Sequence, residues 1–96
     1  MYKQKVNEGD LKDLFSAILT LETREDCQDF FDDLCTIDEI KSLAQRWQVA
    51  QMLQDKATYS DIMSETGASS TTISRVKKSL EYGTGYARVL KKRKSI

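Results

Sequence analysis

The chain of 96 residues has no histidine and no proline, four glycines, and a formal net charge of zero. Each lack removes something. Without histidine, zinc centres and imidazole-based catalysis lose their commonest side chain. Without proline, and with so little glycine, the chain is poor in the turn punctuation that sheets demand, so helices are favoured. The opening stretch MYKQKVNEGD has no apolar h-region of a signal peptide. No apolar run approaches the roughly 18 residues of a membrane helix, so a cytoplasmic location is expected. The two cysteines, Cys27 and Cys35, lie eight apart on one expected helical face. That spacing speaks against a disulfide within a straight helix, and both are expected to be small buried apolar groups.

The zero net charge hides a division. Residues 1 to 55 carry six Lys/Arg and twelve Asp/Glu, giving −6. Residues 56 to 96 carry nine Lys/Arg and three Asp/Glu, giving +6. Such asymmetry points to a polyanionic partner for the basic half. The length fits one small domain, and a monomer of this size buries only about two thirds of its unfolded surface, so pairing with a second copy would help.

Apolar spacing predicts an all-α chain of six helices. Leu11, Leu14, Phe15, Ile18 and Leu19 form one amphipathic stripe, and Cys27, Phe30, Phe31, Leu34 and Cys35 repeat it on a second helix. Thr36 with Glu39 makes a T-x-x-E capping box that opens a third helix. There Ile40, Leu43, Ala44, Trp47 and Ala50 line one face, and Val49, Met52 and Leu53 another. A helix apolar on two faces is surrounded by partners, so this is the expected centre of the domain and of a dimer. Thr58 caps a short fourth helix carrying Ile62 and Met63, which stops at Gly67. Ser69 caps a fifth, with Ile73, Val76 and Leu80 inward. After Gly83 and Gly85 a sixth helix over 84–94 offers Tyr86, Val89 and Leu90; residues 1–8 and the basic tail 92–96 are expected to fray.

The fourth and fifth helices over 58–80, about three residues apart with a glycine at the bend, have helix-turn-helix spacing. The outward side of the second would present Ser69, Ser70, Thr71, Ser74, Arg75 and Lys78, with Lys77 also placed for phosphate. Small hydroxyls at a helix N-terminus allow close approach to a duplex, and the helix dipole favours phosphates there. The same residues could instead form an ordinary solvated helix. No paired carboxylates, histidine-assisted nucleophile or phosphate-cradling loop is present, and GTG at 83–85 is too short for the last. No enzyme activity, metal or cofactor is therefore expected.

LCTIDEIKSLAQRWQVAQML, followed by TYSDIMSETGASSTTISRVKKSL, resembles the tryptophan repressor superfamily over residues 10 to 90. The likeness is greatest to its TrpR-like YerC/YecD group. The resemblance implies a six-helix fold in which the N-terminal helices of two subunits interlace, making residues 10–55 the dimerisation helices of a homodimer. Two helix-turn-helix heads would then meet successive major grooves of double-stranded DNA about 34 Å apart. It implies a sequence-specific transcriptional regulator, a repressor by analogy; the alternative is a helical protein-interaction module that keeps the dimer without specific DNA binding. It further implies a small-molecule pocket at Thr36, Arg46, Arg75 and Ser79, where in the family arginines flank an indole. Val76 stands where the tryptophan binder has glycine, which argues against a tryptophan response.

Overall fold

The computed structural model describes residues 6–94. Six helices follow one another: α1 Glu8–Ile18, α2 Arg24–Leu34, α3 Ile37–Gln54, α4 Tyr59–Thr66, α5 Ser70–Tyr82 and α6 Gly85–Lys94. There is no strand among the described residues, in line with the all-α, six-helix expectation. The helices fall into two compact units, one ending at Ile37 and the other beginning at Asp38.

In the N-terminal unit both helices start on side-chain caps. Asn7 Oδ1 accepts from the Asp10 amide at 3.1 Å, and Thr23 Oγ1 accepts from the Asp26 amide at 3.0 Å. Asp26 returns the favour by accepting from the Glu22 amide at 3.0 Å, which explains why TRED restarts the helical count. Phe30 and Phe31 meet edge to face with ring centroids 5.8 Å apart. No described residue of this unit is buried: Leu11, Leu14, Ile18, Phe30 and Phe31 are half-buried, whereas Phe15 and Leu19 are 53% and 83% exposed. The cysteines depart from expectation. Cys27 is exposed, and Cys35 is half-buried and lies outside the helix as its extended C-cap. The apolar spacing ran one residue past the last helical turn.

The C-terminal unit has a closed core. Val49 and Ala50 of α3, Ile62 of α4, Ala68 of the following turn, and Ile73 and Val76 of α5 are buried together. Trp47, Met52, Leu53, Ala57, Tyr59 and Tyr86 pack around them. Ile62, Ile73 and Val49 are the largest fully buried side chains, each stabilising by about 1.5–3 kcal/mol. Leu90 anchors α6, and Tyr86 stacks on Trp47 at 6.4 Å with planes 16° apart. The Arg93 guanidinium sits 5.9 Å from the Trp47 ring centroid, so Trp47 is core material shared by α3 and α6.

Not every apolar residue is covered within one chain. Met63 and Val89 are 43% and 48% exposed, and Leu43 and Ala44 of α3, the helix expected also to meet a second copy, are exposed as well. A stripe read from spacing is wider than the strip each short helix buries. The basic end also differs: α6 continues to Lys94, so residues 92–94 are helical rather than frayed. Lys91, Lys92, Arg93 and Lys94 all fall in its last turn, where the negative end of the helix dipole favours cations. At the other expected frayed end, Asn7 caps α1 and Glu8 is its first residue, so the helix begins earlier than expected; residues 1–5 and 95–96 lie outside the described residues.

Candidate nucleic-acid interface

The bend between α4 and α5 is built by local polar chemistry. Thr58 Oγ1 accepts from the Asp61 amide at 3.1 Å and starts α4. Gly67 ends it in the left-handed region, φ 74°, with its amide donating to the Met63 carbonyl at 2.9 Å. The Thr66 hydroxyl donates to the Ile62 carbonyl at 2.7 Å and accepts from the Ala68 amide at 3.0 Å. Gln45 of α3 donates to the Thr66 carbonyl at 3.0 Å. Ser69 Oγ then accepts from the Thr72 amide at 3.1 Å and opens α5. The bend is therefore three residues, Gly67 to Ser69, with Ala68 buried beneath it.

Burial of Ile73 and Val76 fixes how α5 is rotated. The 100° step of the helix then sends Ser70, Thr71, Ser74, Arg75 and Lys78 to the opposite side, where all are exposed. These five line one shallow surface hollow. Two residues expected beside them are placed otherwise. The Ser69 hydroxyl is occupied in capping, and it also lies 3.2 Å from the Thr72 hydroxyl. Lys77 is exposed on the flank of α5, in a separate hollow with Leu53, Lys56, Tyr59, Leu80 and Glu81.

Of the four residues grouped by resemblance as a small-molecule pocket, Arg75 and Ser79 come together. With Lys78, Tyr82 and Gly83 they line an open hollow on the other flank of α5. Arg46 is exposed on α3 and is not among its walls. Thr36 is exposed in the N-terminal unit, directly before α3. Val76 is only 2% exposed and belongs to the core.

One residue at the edge of this surface escaped sequence reasoning. Tyr59, at the start of α4, packs its ring against the core and brings its hydroxyl to 3.4 Å from Ser74 Oγ. Nothing in the spacing marks it, because the contact spans 15 residues and two helices. Among the described residues no group of Cys, Asp and Glu is arranged to hold a metal ion. No described helix is long and apolar enough to cross a membrane.

A three-residue bend between two helices packed on one core, with a polar and cationic outer face on the second, defines a helix-turn-helix protein. The family described as Trp repressor protein matches residues 9–94, and the chain belongs to that family. It is 55% identical over 83 residues to YerC of Bacillus subtilis (strain 168), itself uncharacterised, covering 86% of this chain and 80% of YerC. Two crystal structures have the same fold. A candidate Trp repressor from Staphylococcus aureus is 52% identical with a TM-score of 0.89, covering 98% of this chain and 95% of the other. A TrpR-like protein from Eubacterium eligens ATCC 27750 is 49% identical with a TM-score of 0.87, covering 96% and 94%.

Proposed function

We propose that the protein is a homodimeric, sequence-specific DNA-binding regulator of transcription, acting as a repressor, with α5 in the major groove. It is not an enzyme. The observation that carries this reading is the convergence of Ser70, Thr71, Ser74, Arg75 and Lys78 on one exposed face of α5, directly opposite Ile73 and Val76 in the core. The short hydroxyls let the helix approach base edges, while Arg75 and Lys78 neutralise phosphates. Lys77, on the flank, extends the phosphate-facing surface. Membership of the Trp repressor family supports the same reading.

Self-association belongs to the proposal because α1 and α2 carry amphipathic stripes without burying a residue. A second copy covering Phe15, Leu19 and the half-buried leucines would give these helices the core they lack in one chain. Two α5 helices related by a twofold axis then favour a near-palindromic site. Tryptophan is not proposed as co-regulator. Where the family's tryptophan binder has glycine this chain has Val76, whose isopropyl group is packed in the core with Val49, Ile62 and Ile73 and leaves no space there for a ring.

The test is selection of bound duplexes from a random DNA pool, followed by fluorescence anisotropy at several salt concentrations. Affinity is expected to fall with a log–log slope near −0.9 per neutralised phosphate. Absence of binding even at about 50 mM salt, where phosphate contacts are strongest, would reject the reading.

A further inference from the structure

Tyr59 stands apart from the other residues of the interface because it lies on α4, not α5. Its ring is held by the core, and its hydroxyl emerges beside Ser74, 3.4 Å away on the exposed side. We propose that the Tyr59–Ser74 hydroxyl pair discriminates between base pairs, with Tyr59 a specificity-determining residue that acts through Ser74. This inference rests on the DNA-binding reading above.

The reason is the chemistry of hydroxyls. An isolated serine hydroxyl rotates freely and offers one proton and two lone pairs, so it tolerates donor and acceptor edges alike. Coupling to a second hydroxyl removes much of that tolerance. Of the two protons in the pair, one is shared between the oxygens. If the phenol donates, the Ser74 proton turns outward; if serine donates, the phenol proton does. In either sense one O–H faces the groove, polarised by the bond behind it. Such a pair favours edges that present acceptors, namely guanine N7 and O6, adenine N7 and thymine O4. An exocyclic amine of cytosine or adenine finds only the remaining lone pairs, whose directions the shared bond fixes. The 3.4 Å separation exceeds the about 2.8 Å of a relaxed O–H···O bond, so a base edge can draw the pair closed. Arg75 and Lys78 in the same hollow supply attraction to any sequence, which leaves selection to the neutral groups.

The experiment takes the preferred site found by selection with the wild-type chain. Anisotropy then measures affinity for that site, for each single base-pair change, and for an unrelated duplex. Tyr59→Phe keeps the packed ring and removes only the hydroxyl. At one base pair per half-site it is expected to reduce discrimination about five- to tenfold, the worth of a single hydrogen bond. Affinity for unrelated DNA should stay within about twofold, because the phosphate contacts remain. Ser74→Ala should erase the same preference, and the double variant should lose no more than either single one. Should Tyr59→Phe melt early, Ser74→Ala at its exposed position carries the test alone. A uniform loss on every sequence would put Tyr59 on a phosphate and overturn the inference, as would additive losses in the double variant. Wild-type chain that binds DNA without preferring any sequence, or does not bind at all, overturns the regulator reading along with it. A preference that survives both substitutions overturns the hydroxyl pair alone.

Discussion

The side-chain amide of Gln45 donates to the main-chain carbonyl of Thr66 across 3.0 Å, joining α3 to the last turn of α4. Carbonyls of a last helical turn have no partner within their own helix, and this one is half-buried. Gln45→Leu removes the donor and leaves the acceptor poorly solvated. The loss of stability is expected to be about 1–2 kcal/mol, read from urea or guanidinium unfolding midpoints. The bend before α5 should also exchange its amide protons faster, and exchange unchanged from the wild type would mean that the bond does not brace it.

Two glycines are needed for different reasons, and substitution should separate them. Gly67 has φ 74° with nothing within 4 Å of an added Cβ, so Gly67→Ala pays only for the left-handed backbone, about 1–2 kcal/mol. Gly67→Asn should cost less than Gly67→Ala, since asparagine tolerates that region. Gly83 has an extended backbone, but a Cβ there would meet the Ser79 carbonyl oxygen at 2.7 Å. Gly83→Ala must therefore shift main chain at the end of α5, and Gly83→Asn should be no milder than Gly83→Ala. Thermal melts of the four variants decide the matter.

Anions placed on the outer face of α5 should weaken binding strongly without touching the fold. Ser74 and Lys78 are exposed, so Ser74→Glu and Lys78→Glu place anions against phosphate without disturbing Ile73 or Val76. Each is expected to weaken DNA affinity at least tenfold at low salt, with the effect shrinking as salt rises. Melting temperature and sedimentation coefficient should match the wild type. Retained affinity in both would remove α5 from the groove.

Phe15 tests the dimer separately. It is half exposed at the middle of α1, on the stripe shared with Leu11, Leu14 and Ile18. In the proposed assembly Phe15→Asp buries a charge, and the dimer dissociation constant should rise at least about tenfold by sedimentation equilibrium. In a monomer the same change meets water and should be nearly silent. Self-association equal to that of the wild type would take α1 out of the interface.

The sequence by itself determined the number and order of the helices, the caps at Thr58 and Ser69, and the stop at Gly67. Each of these depends on interactions within a few residues: a hydroxyl accepting from an amide three positions on, or a glycine entering the left-handed region. That five of the seven residues expected to face DNA share one exposed side of α5 was legible for a similar reason, since a 100° helical step and two buried anchors set their direction. The tertiary structure alone decided the rest. Met63 and Val89 share the apolar character of Ile62 and Leu90, yet only the latter two are buried, because short helices bury no more width than their neighbours cover. Lys77 lines a separate hollow with Lys56 and Tyr59, a neighbourhood that exists only once α4 packs beside α5. Tyr59 reached Ser74 only once packing brought α4 and α5 side by side, a meeting for which one-dimensional spacing carries no signal.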